Sequence, residues 1–401
     1  MAFRNTFRNR RRTALNVLMI AGGVSTMLLF EGLVHRMVVG LRETTIKTQT
    51  GHLQIAKQAY WKKTSKSPKE TLISNYETWI RNIKKNPHVT YATGRLTFFC
   101  LLSKGERSSS AQGVSFDPKA EYQRQRSFKF ISGRGLRPGK RFEIAVGSGL
   151  AKKLTIKAGD QVVLLGQTYD GVVNALEMKV AGIFSTSISE FDDASFIIPL
   201  TSAQTLLDTK GVEQIVVGLD DTSSTATVKG ELTRRLDLAS VGIGIRTWYW
   251  LATLYRQVAE FNRVQNTAFK LIIMSLILLS IMNTIGNSIA ERTGEIGTVR
   301  AMGEKPGSLV FQFMLEGLIL GIFGAVAGIV LGTVAGQVIN AMKIPVMMPG
   351  ASTFFYLEID FLWSAVKEAA IVSVGAAGVA AVIPALRASR MNIIESLRRY
   401  V

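Results

Sequence analysis

Ile289-Ala-Glu-Arg-Thr-Gly-Glu-Ile-Gly-Thr-Val-Arg-Ala-Met-Gly303 decides how this chain is read. It is a short charged segment between two long apolar runs, 267–288 and 309–342. About 20 mainly apolar residues span the hydrocarbon of a bilayer, so each run can cross one and the segment between them lies at one membrane face. Ile296, Val299 and Met302 recur every three residues and form one apolar stripe if the segment is helical. Glu291, Arg292, Glu295 and Arg300 fall largely off that stripe and can stay in water, while Gly294 and Gly297 permit close approach of another backbone. Thr293 and Gly303 bracket the amphipathic portion. Such a helix can dock a second protein. It can also be a plain loop whose charges keep the flanking helices from sliding, and periodicity alone leaves both readings open.

Outward from this segment the apolar runs carry their own pattern. Gly317 and Gly321 are four residues apart, as are Gly324, Gly328, Gly332 and Gly336. The last apolar run, 361–386, holds a matching series in Ala369, Ser373, Ala377, Ala381 and Ala385. Small residues at this spacing make flat faces that let helix backbones meet in lipid, so the two series are expected to pack on each other. Glu316 lies about two turns into its run, where a carboxylate needs a partner or an outlet to the interface, and a structural role is expected for it.

The first apolar run, 14–34, follows Arg4, Arg8, Arg10, Arg11 and Arg12. No small-x-small cleavage site follows it, so it reads as a retained span with the arginines in the cytoplasm. Glu31, His35 and Arg36 suit an exit into the outer interface and a helical stalk beyond it. Four spans return the chain to the cytoplasm, where the tail carries Arg387, Arg390, Arg398 and Arg399.

Residues 40–262 contain no spanning run. Strands are expected at 52–56, 89–102, 161–165, 176–184 and 213–219, and helices at 70–85, 149–154, 202–208 and 226–237. The polar stretches 103–110 and 132–141 read as loops. The fold class is therefore membrane α-helical, with four transmembrane helices and a large extracytoplasmic α+β domain inserted between helices 1 and 2. The expected order is a basic N-terminus (1–13), span and stalk (14–39), α+β domain (40–262), span (263–288), coupling segment (289–307), span (308–342), outer loop (343–360), span (361–386) and cytoplasmic tail (387–401).

Composition narrows the chemistry. The 401 residues are 47% hydrophobic with a formal net charge of +19. Residues 62–141 hold 18 Lys and Arg against 5 Asp and Glu, but no nucleic-acid motif accompanies them, so nucleic acid is not expected as a partner. A basic outer face near anionic headgroups or an acidic partner, or a solvated surface, accounts for them. The single cysteine, Cys100, lies in an apolar run and reads as core. His35, His52 and His88 have no ligand spacing, so no metal site is expected. The sequence holds no Gly-x-x-x-x-Gly-Lys-Ser/Thr phosphate loop, and Val146-Gly-Ser-Gly149 fails the spacing of a nucleophile elbow. Glu190, Asp192 and Asp193 read as a polar loop before a strand at 195–199. No catalytic residue is expected.

Glu291-Arg-Thr-x-Glu-Ile-Gly-Thr-Val-Arg-Ala-Met-Gly303, followed by Phe313-x-x-Glu316-Gly317, resembles the coupling-helix region of an ABC-transporter permease superfamily. That superfamily includes the lipoprotein-releasing, macrolide-exporting and cell-division permeases. Glu143-x-Ala-x-Gly147 with Leu150-Ala-Lys-Lys-Leu154 is similar to a motif of its extracytoplasmic domain. Gly51-His-Leu-Gln-Ile55 and Gly182-Ile-Phe-Ser-Thr-Ser-Ile-Ser-Glu-Phe-Asp-Asp193 look most like the lipoprotein-releasing branch, and Pro384 to Arg390 resembles the C-terminal signature. The signature commonly has proline where this chain has Ile393 or Ile394.

The resemblance implies a permease of the bacterial inner membrane that hydrolyses nothing itself. Two copies of an ABC ATPase subunit would bind the ATP and Mg and press on 289–303, and a second permease copy or sister permease would complete the assembly. Motion rather than a channel would carry the work, here called mechanotransmission. A lipid-anchored protein would leave the outer leaflet for a periplasmic carrier, with Leu28, Leu29, Phe30, Ile272, Ile273 and Leu276 facing acyl chains in the membrane. The alternatives are a macrolide or peptide exporter and a regulator of cell-wall hydrolases.

Overall fold

The computed structural model describes residues 10–62, 68–121, 128–186, 188–236, 242–346 and 355–390. The expected contributions of Arg4, Arg8 and the tail beyond Arg390 lie outside the described residues.

In chain order the elements are α1 (Arg10–Thr45), β1 (Leu53–Lys57), α2 (Tyr76–Ile83), β2 (Val89–Arg95), β3 (Thr97–Lys104), β4 (Arg107–Phe116), β5 (Lys129–Gly133), β6 (Glu143–Gly147), α3 (Ser148–Leu154), β7 (Gln161–Gln167), β8 (Val173–Ser185), α4 (Ser189–Ala194), β9 (Ser195–Pro199) and α5 (Leu200–Leu207). There follow β10 (Gln214–Leu219), α6 (Thr225–Arg235), β11 (Ile243–Thr247), α7 (Thr253–Glu291), α8 (Thr293–Ala301), α9 (Pro306–Met342) and α10 (Trp363–Ser389). They divide into two units, one of residues 1–39, 258–345 and 356–401, the other of 40–257 and 346–355.

The first unit is helical. Parts of α1, α7, α9 and α10 are long and apolar enough to cross a membrane. The helices outrun the spans expected for them: α1 has 36 residues and α9 has 37, about 54–56 Å each at 1.5 Å per residue. Their shared core runs through Ile20, Val24, Ile277, Ile281, Ile285, Phe313, Leu320, Ala377 and Ala381. Lys305 leads into Pro306, whose missing N–H costs nothing at the first position of α9.

The second unit is α+β and contains two sheets. One is antiparallel, in the order β11-β1-β10-β2, and packs its buried face with α2 and α6. The other runs β5-β8-β6-β9-β4-β3-β7, and a further pairing of β7 with β8 closes six of these strands into a ring. β4–β9 and β6–β8 are its parallel pairs. Inside lie Phe98, Val146, Leu164, Val180, Phe196 and Leu206.

Several expectations change here. The run 89–102 is two strands in different sheets, divided at the fully buried Leu96. Residues 103–110, expected as a loop, form the β3–β4 hairpin, with Gly105 at a φ of 57°. Serines made that stretch look loop-like, yet Ser108 and Ser110 are exposed strand positions. Of the helix expected at 70–85 only α2 is formed, because Ile73 is taken into a β-bridge with Val212. Residues 189–194 form a short helix rather than a loop. Asp192 is fully buried there and accepts from Ser185 Oγ at 2.8 Å, the Thr186 N–H at 2.9 Å and Thr186 Oγ1 at 2.8 Å. A side chain at Gly147 would strike the Asp192 carbonyl, so the Gly-Ser-Gly sequence is a packing device. Cys100 is buried core, and burial pushes its thiol up to about 12.

Candidate functional site

The segment 289–303 is helical, as its spacing suggests, and α8 is short because both ends are specified. Gly303 adopts a φ of 95°. Its N–H bonds to the Arg300 carbonyl at 3.0 Å, and the Glu304 N–H reaches the Val299 carbonyl at 3.3 Å. This pair of bonds is a Schellman cap, which satisfies carbonyls a helix end would otherwise leave open. At the other end the Ile296 N–H bonds to the Arg292 carbonyl at 2.9 Å.

The apolar stripe does not behave as one face. Ile296 is 7% exposed and joins Ile289, Leu309 and Phe313 in the bundle core, with Gly294 and Gly297 also buried. Val299 and Met302 turn outward at 36% and 75% exposure. Successive side chains three apart drift around a helix of 3.6 residues per turn, so the stripe rotates from core to solvent. Glu291 and Glu295 are exposed, as expected, and Arg300 is partly so. Thr293 Oγ1 back-bonds to the Ile289 carbonyl at 3.1 Å.

Arg292 departs from its expected place in water. Its Nη1 donates to Glu316 Oε1 at 3.3 Å, with only 11% and 6% of the two side chains exposed. The carboxylate inside α9 therefore has its partner at the root of α8, which ties the segment to the bundle. A second tie comes from α1: Arg12 Nη1 donates to Glu291 Oε1 at 2.9 Å, and its Nη2 donates to the Thr284 carbonyl. Both ion pairs lie at the root of α8, with Glu295, Val299 and Met302 presented beyond them.

The small-residue faces divide between two neighbours. A Cβ on Gly317 or Gly321 would meet Ala377 of α10, with Ala381 also beside Gly317 and Ser373 beside Gly321, as expected. Gly324, Gly328 and Gly332 instead face α1, against Ile20, Ala21, Val24, Ser25 and Leu28, and Gly336 lies nearest Leu29 and Ile359. The expected pairing of both whole series is corrected in this respect: Ala369 is buried in the core, but the upper glycines do not pack on α10. Four-residue spacing drifts about the helix as well, so a 20-residue stripe serves two partners.

The six apolar residues expected to face acyl chains do not converge. Leu28 and Ile273 are buried, Ile272 and Leu276 are exposed on α7, and the ring of Phe30 packs 4.5 Å from that of Phe269. Leu29 is partly buried. Away from α8 the bundle holds a charged cluster the sequence reading missed: Lys270 Nζ lies 2.6 Å from Glu368 and 3.5 Å from Glu31. Three charged residues inside three apolar runs were the available signal, since such groups seek one another in a membrane. Among the described residues no group of three or more His, Cys, Asp or Glu could hold a metal.

Comparison with known proteins then supplies the family. Residues 13–235 match the MacB-like periplasmic core domain, and residues 267–393 match the FtsX-like permease C-terminal domain. The chain belongs to the MacB- and FtsX-like permease family. Among relatives, the permease is 26% identical to the lipoprotein-releasing system transmembrane protein LolC of Neisseria meningitidis, over 65% of this chain and 66% of that one. With LolE of Haemophilus influenzae it shares 24% identity over 82% of each chain. With the macrolide export ATP-binding/permease protein MacB of Acinetobacter baylyi it shares 28% identity over 45% of this chain and 27% of that one. The relatives support an ABC transporter permease with an apolar helix, a periplasmic-type α+β domain and three further apolar helices.

Proposed function

We propose that this permease couples a separate ABC ATPase to extraction of a lipid-anchored protein from the outer leaflet of the inner membrane. The observation that carries the reading is α8: a capped helix between α7 and α9, ion-paired at its root and apolar at its exposed end. A groove on each of two ATPase subunits would receive Val299 and Met302, with Glu295 and Arg300 at the rim, where charge sets orientation. ATP binding and hydrolysis belong to that partner.

Closure of the ATPase pair would press on α8. Arg292–Glu316 would transmit the displacement to α9 and Arg12–Glu291 to α1, and close glycine contacts would keep the helices moving as stiff bodies. α1 and α7 continue without a break into the α+β unit, so the same displacement reaches it through the backbone. A second permease copy or sister subunit would complete the cavity, and a periplasmic carrier would take the substrate. Relatives named for lipoprotein release over 65–82% of the chain favour this substrate.

The MacB-like match over 13–235 favours a macrolide or peptide exporter as the second reading. Reconstitution of the permease with its co-purifying ATPase in liposomes bearing an acylated lipoprotein separates them. Release that requires ATP is the expected result. ATPase turnover stimulated by macrolides or peptides, with the lipoprotein retained, would move the assignment to the exporter.

A further inference from the structure

At the end of the helical unit away from α8, a pocket of about 370 Å³ opens among α1, α9 and the segment leading into α10. Its volume falls within the usual range of small-molecule sites, about 300–1,000 Å³. Leu28 and Leu29 of α1, Gly332 and Gly336 of α9, and Phe361 and Leu362 make most of the wall. The two glycines leave the space: a Cβ at Gly336 would come no closer than 3.6 Å to Leu29 and 3.7 Å to Ile359.

One end of this apolar shaft is polar and fixed. The Asn340 side chain accepts from the Ile359 N–H at 2.7 Å and donates to the Ile359 carbonyl at 3.0 Å, and the Asp360 N–H bonds to the Gly32 carbonyl at 3.3 Å. Asp360 is among the residues that line the pocket, and its carboxylate meets His35 Nδ1 at 2.9 Å. Arg36 pairs with Glu358 and lies 3.9 Å from Asp360. Glu358 and Asp360 therefore place two carboxylates beside the single guanidinium of Arg36 at this end of the pocket.

We infer that this pocket holds one acyl chain of an outer-leaflet phospholipid whose headgroup carries an ammonium. The apolar shaft takes hydrocarbon, and the acidic rim selects the cationic end of the head. Phosphatidylethanolamine has both parts, whereas phosphatidylglycerol lacks the ammonium and adds net negative charge. The site lies at the end of the helical unit away from α8, and two of its wall residues, Leu28 and Leu29, are among those expected to face acyl chains. The inference rests on that part of the proposed function in which the helices cross a bilayer with Arg10–Arg12 inside. Labelling of Glu358→Cys from outside intact cells checks that orientation by itself.

The test is native mass spectrometry of the full chain released from nanodiscs of equal phosphatidylethanolamine and phosphatidylglycerol. The wild type should retain one phosphatidylethanolamine per chain, several-fold over phosphatidylglycerol. Gly336→Leu fills the shaft and should lose the retained lipid. Asp360→Asn leaves the shaft open, so it should keep a lipid and lose the headgroup preference. Equal retention of both lipids by the wild type would overturn the inference. So would a Gly336→Leu protein that holds as much lipid as the wild type, as expected if annular lipid alone accounts for the retained molecule.

Discussion

Arg292 and Glu316 illustrate how one contact can be both costly and specific. Both side chains are nearly excluded from water, and removing one partner from such a pair costs about 3–5 kcal/mol because the other charge stays buried. Arg292→Met should therefore lower the thermal midpoint of the purified permease strongly, whereas Arg292→Met with Glu316→Met should recover much of the loss. Equal damage from the single and double variants would show that the pair itself does not hold α8. His52 gives a pH test in the α+β unit. Its Nδ1 accepts the Leu219 N–H at 3.0 Å, its Nε2 faces Thr222 Oγ1 at 3.2 Å, and burial depresses its pKa below 6.5, against an opposing pull from Glu43. The unfolded chain therefore takes up a proton first. The stability His52 contributes is fully present above pH 6.5 and is lost as pH falls toward the depressed folded value. Buried Glu213, hydrogen-bonded by the Thr97 N–H and the Tyr169 hydroxyl, has the opposite sign: burial raises its pKa above 4.5, so it favours the fold as pH falls through that window. Thermal melts of the wild type and His52→Gln between pH 7.5 and 5.5 isolate the first effect. The wild type should lose more stability than the variant, and parallel curves would contradict it.

The helices bring the glycine stripe and the cap under test. A leucine at Gly328 would collide with Val24 and the Ala21 carbonyl, which an ideal Cβ already approaches to 2.6 and 2.8 Å. Gly328→Leu should displace α1 and cut the recovery of monodisperse permease in size-exclusion chromatography, while Gly336→Ala, whose Cβ would stand at ordinary contact distance from Leu29 and Ile359, should run as the wild type. Normal recovery of Gly328→Leu would argue against the α1–α9 contact. Gly303→Ala places a side chain on a backbone of φ 95°, a conformation that costs an L-residue about 1–2 kcal/mol. Nothing lies within 4 Å of that Cβ, so the expected effect is faster amide exchange at the end of α8 alone. At this scale the sequence was readable where period and length agree. Four long apolar runs became four helices, and the strand expected at 52–56 became β1. Partner choice was less readable, since four-residue spacing marks a small face without naming the helix that meets it. Gly324 and Gly328 met α1, while Gly317 and Gly321 met α10.

Across the whole molecule, the division into a helical unit and an inserted α+β unit followed from composition, but the closed ring of β-strands did not. Strands such as β4 and β9 pair in parallel across about 80 residues of intervening chain, and no local pattern announces so distant a neighbour. The candidate site was legible as a segment and only partly as a surface. Spacing located Val299 and Met302 together with Ile296, yet packing against Leu309 and Phe313 turned Ile296 inward. What remains exposed is the face on which the account depends. The most direct test is capture of the co-purifying ATPase by permease carrying Glu295→Arg, Arg300→Glu and Met302→Asp, with the thermal midpoint of each protein measured alongside. The account predicts that ATPase capture and ATP-dependent release both fall at least tenfold while the permease itself melts as the wild type does. Undiminished capture and release by that triple variant would contradict it.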